Sequence, residues 1–161
     1  MKRFVLAALL VLLAAVMAFG QTLALTPSVD SLKATVESEY TVVAGDTLSL
    51  ISAKVYGDYR YWPVIFLTNK SNEFNNPEVI EPGMMLKIYK LPFKISGIDA
   101  VSKLLLAEVY LQTYEAYLPL GADWINARRW VLLESLFVNE DLFSKSNPRV
   151  EASDSNWYGS R

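Results

Sequence analysis

Cysteine and histidine are both missing from these 161 residues, and each absence removes a class of chemistry. Without cysteine there is no disulfide, no thiolate zinc site, no thiol nucleophile and no residue to acylate in a lipoprotein leader. Without histidine the chain lacks the usual general base near neutral pH, the Ser-His pair and the commonest zinc ligand. An excess of positive charge is lacking too. Fifteen Lys and Arg stand against 17 Asp and Glu, a formal net charge of −2. That mildly acidic balance offers nothing to a phosphate backbone, so no nucleic-acid partner is expected. No metal or other cofactor and no catalytic residue is expected either. The length suits one ordinary domain or two very small ones.

The N-terminus holds the longest apolar run. Met1-Lys2-Arg3 is a short basic head and Phe4 to Phe19 is unbroken apolar sequence, shorter than the roughly 20 residues a membrane-spanning helix needs. Ala18-Phe19-Gly20 follows as a small-x-small site. Residues 1–20 therefore read as a secretory signal peptide, with Ala18 and Ala24 as alternative cleavage points and an uncleaved anchor as the competing reading. Loss of Lys2 and Arg3 moves the net charge from −2 to −4. The expected location is outside the cytoplasm, in the periplasm or cell envelope.

From residue 21 the chain divides by composition. Residues 21–39 ("QTLALTPSVDSLKATVESE") are polar, with Pro27 and weak helical character after Ser31, and read as a linker. Residues 40–91 carry a strand–helix–helix–strand signal, and residues 95–143 are rich in Leu, Tyr and Trp at helical spacing. Residues 144–161 ("SKSNPRVEASDSNWYGSR") have the composition of a disordered tail.

The ordered unit opens on "YTVVAGDTLSLISAKVYGD". Tyr40, Val42 and Ala44 alternate with Thr41 and Val43, which predicts a strand over Tyr40–Val43. Gly45 lets the backbone turn sharply, and Asp46 or Thr47 stands where a helix cap is needed. Leu48, Ile51 and Val55 then mark one face of a helix ending near Tyr56-Gly57, with Gly57 suited to the left-handed C-terminal position. A second helix is expected over Tyr61–Thr68 with Trp62, Ile65 and Phe66 inward. A long polar loop closed by Pro82-Gly83 leads to a second strand, Met85–Tyr89. Leu48, Ile51, Trp62, Ile65 and Leu86 read as core, and Gly45, Gly57 and Gly83 as backbone requirements. Antiparallel strands would lay the loops 44–47 and 75–83 side by side as a shallow groove.

These residues resemble a LysM domain, the small βααβ module that binds N-acetylglucosamine-containing glycans. The likeness rests on the "Y-x-V-x-x-G-D-T-L" entry, the "Y-G" helix end, an Asn after the second helix and the "N-P-x-x-I-x-P-G-x-x-L-x-I" exit, in order over Tyr40 to Leu91. The stretch Asp58–Leu67, with Tyr59, Tyr61 and Trp62, is longer than in the most compact members and is similar to a bacterial subtype with a "W-x-x-I" second helix. The resemblance implies a βααβ LysM domain at 40–91; with the helical hairpin that follows it in sequence, the expected fold class is α+β. It also implies a glycan lying between the two loops. That nominates Gly45, Asp46, Thr47 and Leu48 on one side and Asn76, Pro77, Val79, Ile80 and Glu81 on the other. The expected partner is peptidoglycan or a related N-acetylglucosamine polymer.

Residues 95–143 read as an αα-hairpin. Ile98, Val101, Leu105 and Val109 share one face, Tyr110, Tyr114 and Tyr117 extend a neighbouring stripe, and Glu108, Gln112 and Glu115 form the polar side. Leu118-Pro119-Leu120-Gly121 breaks the helix, and Asp123 is placed to cap a second, running through Trp124, Val131, Leu132, Leu136 and Phe137. The hairpin has a faint resemblance to one tetratricopeptide unit, but a lone unit with this much apolar surface needs cover. The candidates are the 40–91 unit, the 21–39 segment or a protein partner. Arg128-Arg129 reads as a solvated or ion-paired face. Glu108, Glu115 and Glu134 are the available candidates in the helical part for glycosidase-like chemistry, and their polar surroundings favour surface roles. The expectation is a non-catalytic glycan-binding protein. The alternatives are an envelope scaffold acting through its helices and, third, an accessory wall hydrolase.

Overall fold

A computed structural model describes residues 27–143 and 147–160. The expected signal peptide and residues 21–26 of the expected linker lie outside the described residues. Within them, two antiparallel strands and five α-helices follow in the order β1 (Val36–Thr41), α1 (Leu48–Tyr56), α2 (Trp62–Asn69), β2 (Met85–Tyr89), α3 (Ala100–Tyr117), α4 (Ile125–Ser135) and α5 (Ala152–Gly159). The fold class is α+β.

The first strand starts earlier than its side chains suggest. Val36 pairs with Tyr89, Ser38 with Ile88, Tyr40 with Leu86 and Thr41 with Met85, with a bulge between Val36 and Ser38. Most of β1 is therefore built from "VESE", which lies in the expected linker. Every β1 residue but the half-buried Tyr40 is exposed, so β1 buries no alternating apolar stripe and is held by its backbone pairing with β2. The ladder continues past Thr41 through Val42 N–H to Met84 O at 2.9 Å and Gly83 N–H to Val42 O at 2.8 Å. Ahead of β1, Val29–Lys33 forms a 3-10 turn whose Val29 and Leu32 are buried. Residues 28–39 thus belong to the folded unit.

The helix α1 has the expected span and caps. Thr47 accepts the Leu50 N–H at 3.2 Å, and Gly57, at φ 77°, closes the helix by donating to Ala53 O at 3.1 Å. Between α1 and α2, Asp58 accepts the Arg60 N–H and its guanidinium, fixing the 3-10 turn Tyr59–Tyr61. The helix α2 ("WPVIFLTN") is apolar on every side, and such a helix is stable only when covered all round. Val64, Ile65 and Phe66 are fully buried. α1, β2, α3 and the Val29–Lys33 turn all pack on α2. Asn69, the Asn of the sequence motif, ties its end to the sheet: Oδ1 accepts Lys87 N–H at 2.8 Å and Nδ2 donates to Lys87 O at 2.9 Å.

The hairpin covers the remaining side of α2, and one apolar core runs through both parts of the chain. Leu105, Val109, Tyr110, Tyr114 and Tyr117 are buried as expected, whereas Val101 is exposed. Leu118–Leu120 and Gly121, at φ 91°, turn the chain. α4 then begins from a 3-10 turn at Ala122–Trp124 without a side-chain cap, so Asp123 does not play the expected role. Arg128 and Arg129 are ion-paired.

Their partner is in the segment expected to be disordered. Asp154 of α5 is fully buried and binds Arg128 Nε and Arg129 Nε at 2.7 Å each and the Tyr114 hydroxyl at 2.9 Å. Upstream, Arg149 bridges Glu108 and Glu115. The tail is polar in composition because charged groups anchor it. Burial alone would raise the Asp154 pKa; the hydrogen bonds from Arg128, Arg129 and Tyr114 outweigh it and hold the carboxyl below its ordinary range. An acid with a depressed folded pKa contributes stability above its unfolded pKa of about 3.9 and loses it as pH falls through the folded value. Asp154→Asn should destabilise the protein by about 3 kcal/mol near neutral pH. In urea titrations the gap to the wild type should narrow progressively below about pH 3.9.

Candidate functional site

The turn from β1 into α1 is braced by a carboxylate. Asp46 Oδ2 accepts the Tyr40 hydroxyl at 3.0 Å and the Val43 N–H at 2.9 Å. Asp46 therefore holds the loop and Thr47 caps the helix, which separates two roles the sequence leaves open. Gly45, at φ 89°, completes the turn. On the far side, Asn76 Oδ1 accepts the Glu78 N–H at 3.0 Å and shapes the second loop. Antiparallel pairing of β1 with β2 brings the two loops to the same end of the sheet.

A cavity of about 530 Å³ opens there, and Asp46, Thr47, Leu48, Pro77 and Ile80 all line it. Four other nominated residues do not line it. Gly45 and Asn76 shape the loops, while Val79 and Glu81 are exposed. Thr47 is exposed, with its Oγ1 3.0 Å from Ser49 Oγ, and Leu48 is buried at the floor. The first turn of a helix leaves amides without intrahelical partners, so donors are available beside these hydroxyls.

The opposite wall comes from the hairpin, a contribution the sequence reading missed. Tyr117, Trp124, Ala127, Trp130 and Glu134 line the same cavity. Ala127, Trp130, Val131 and Glu134 recur at i, i+3, i+4 and i+7, so one face of α4 looks at the two loops. That spacing was readable, but its direction was not. Two bonds set the direction: Tyr117 donates to Glu78 Oε1 at 2.6 Å and Trp62 Nε1 donates to Glu134 Oε2 at 2.7 Å. Burial raises the Tyr117 pKa far above normal, so its hydroxyl stays a donor. A larger cavity, about 820 Å³, lies away from both loops beside the Val29–Lys33 turn. Its carboxylates Glu108 and Glu115 are ion-paired with Arg149.

A βααβ unit with its two loops meeting at one cleft is a small binding module. The family model of the LysM domain matches residues 40–88, so this part of the chain is a LysM domain, and domains of this family bind glycans of the peptidoglycan and chitin type. The chain is 46% identical over 55 residues to the potassium binding protein Kbp of Escherichia coli, covering 34% of this chain and 36% of that protein. It is 44% identical over 52 residues to an esterase of Mycobacterium tuberculosis, covering 32% of this chain and 11% of that protein. The chain thus spans about a third of one relative and about a tenth of the other, and the esterase match is confined to the LysM region. No solved structure matches the chain significantly.

Glu134 gives the cleft a testable electrostatic signature. Burial pushes its pKa up, the Trp62 N–H opposes this, and the Glu78 charge adds to it. The unfolded chain ionises near pH 4.3 and the folded protein later, so the ionised form costs stability once pH rises through that interval. Glu134→Gln keeps an acceptor for Trp62 and removes the charge. Thermal melts should show the variant more stable than wild type at about pH 7 and equal to it below about pH 4.

Proposed function

We propose that this is a non-catalytic, exported protein that holds N-acetylglucosamine-containing cell-wall glycan, peptidoglycan in the first place, in the cleft beside the first turn of α1. The observation that carries the reading is the meeting of Thr47 and Leu48 with Pro77 and Ile80 around one cavity. An N-acetyl group offers a carbonyl acceptor, an N–H donor and a methyl. Helix-start amides, the hydroxyls of Thr47 and Ser49, and the apolar Pro77 and Ile80 suit those three features. Each net hydrogen bond contributes about 0.5–1.5 kcal/mol, so a single module binds weakly. Polymeric wall, or several copies of the protein, raises retention by avidity.

The basic head and apolar run of residues 1–20 support export to the periplasm or envelope. The binding character of the LysM family supports a role without catalysis. Packing of the hairpin on α2 favours this reading over a free helical scaffold, since that apolar face is already covered.

Retention on insoluble peptidoglycan tests the reading. Thr47→Arg fills the cleft from an exposed position and Ile80→Asp places a charge at its apolar side. Each should cut retention by at least about tenfold with an unchanged circular dichroism spectrum. Equal retention by the wild type and both variants would move the site elsewhere. Mass spectrometry of the exported protein should find a chain beginning between residues 19 and 25; an intact Met1 in the membrane fraction would replace a secreted protein with an anchored one.

A further inference from the structure

We infer that a cavity at the far end of α1 is a second subsite, which takes the carboxylate-bearing peptide stem branching from the wall glycan held at the first. The inference rests on the glycan reading above and adds a site away from the two loops. This cavity, of about 780 Å³, lies where Tyr56 and Gly57 close α1 and where Glu37 meets Lys90, Phe93 and Lys94 of the segment leading into the hairpin. Its volume falls within the range of small-ligand sites. Ring contacts fix its aromatic side. Buried Tyr61 lies edge-on to Tyr56 at 5.7 Å and 6.0 Å from Phe93, between ring centroids. Tyr56 also donates its hydroxyl to Tyr89 O at 2.9 Å.

The two cavities differ in charge. Asp46, Glu78, Asp123 and Glu134 line the cleft at the loops, and no Lys or Arg does. The far cavity holds Lys90 and Lys94, both exposed, and neither ammonium has an ion-pair partner among the described residues. Arg60 beside them is paired with Asp58 at 2.6 Å. Peptidoglycan is divided in the same way. Its sugar strand is uncharged once the lactyl group is amide-linked, and the carboxylates sit on the peptide stems. Opposite potentials at the two ends of α1 therefore fix which part of the polymer goes where. Glu37 and the carbonyl end of α1 suit the amine that a diamino residue of the stem carries.

The helix between the cavities sets the distance. Thr47, Leu48 and Ser49 line the cleft, while Val55, Tyr56 and Gly57 line the far cavity. The nine residues of α1 span about 14 Å at a helical rise of about 1.5 Å per residue. An extended peptide of about four residues covers the same length. Leu50, Ala53 and Lys54 are exposed at i, i+3 and i+4, so the outer face of α1 is open to a peptide laid along it.

Retention on insoluble peptidoglycan, before and after an amidase has cut the stems from the sugar strand, tests the subsite. Wild type should be retained about tenfold less on the stripped strands, since charge-assisted hydrogen bonds are lost. The gap should shrink at high salt. The double variant Lys90→Gln/Lys94→Gln, at exposed positions, should keep the wild-type melting temperature. It should be held on both materials as wild type is held on the stripped one. If wild type is retained equally on both, or the double variant keeps the preference for intact wall, the second subsite is overturned and the cleft at the loops stands. A loss of the double variant from the stripped strands would put the two lysines in sugar binding and overturn their assignment to the stem. If wild type is retained on neither material, the underlying glycan reading fails and this inference with it.

Discussion

The burial of α2 on all sides is the constraint from which the rest of the structure follows. A helix reading "WPVIFLTN" has no polar face to turn to water, so four different elements must close around it. The sheet and α1 cover part of it, as a βααβ unit can by itself. The remaining sides are closed by α3 and by the Val29–Lys33 turn, which lie outside the matched LysM segment. Each fully buried side chain of this kind contributes roughly 1.5–3 kcal/mol. Val64, Ile65 and Phe66 together therefore account for a large share of the marginal stability of a domain this size.

Apolar burial holds the hairpin on α2 but does not orient it, because the hydrophobic effect has no direction. Orientation comes from a few polar contacts at the edge of the shared core. Tyr110 donates to Arg60 O at 2.8 Å, Trp62 to Glu134 and Tyr117 to Glu78. The Arg60 guanidinium stacks 4.8 Å from the Phe137 ring centroid. All four contacts join the LysM domain to the hairpin. Turning the hairpin would take the buried Tyr110 and Tyr117 from their acceptors, at a cost of about 1–3 kcal/mol each. In the observed orientation α4 faces the two LysM loops, and the cleft acquires its second wall. The same helix presents Arg128 and Arg129 to Asp154, so α4 also anchors the tail.

The resemblance of residues 40–91 was legible because its determinants are local. A threonine cap, a left-handed glycine and an apolar stripe act within one turn of chain, and α1 lies over Leu48–Tyr56 with Thr47 and Gly57 at its ends. β2 likewise matches its alternating run. The gathering of Thr47, Leu48, Pro77 and Ile80 at one cavity follows from the antiparallel closure of that unit. Two segments were read wrongly for opposite reasons. The strand β1 is polar because nearly all of its residues are exposed, and backbone pairing leaves no mark in side-chain pattern. The tail is polar because its anchors are charges, and a buried Asp154 with two arginine partners has the same composition as a solvated one.

What the sequence by itself determined is the module and its cap, turn and core residues, since each depends on neighbours within a few positions. The lack of Cys and His also bounded the chemistry from the start. Only the tertiary structure decided which surface the hairpin covers, which way α4 faces, and hence that Trp130 and Glu134 share a cavity with Thr47 and Ile80. Those residues lie 87 positions apart at the extremes, and no periodicity links positions so distant. They meet because α2 must be buried and because Tyr117, Trp62 and Tyr110 each find a partner in one orientation of the hairpin.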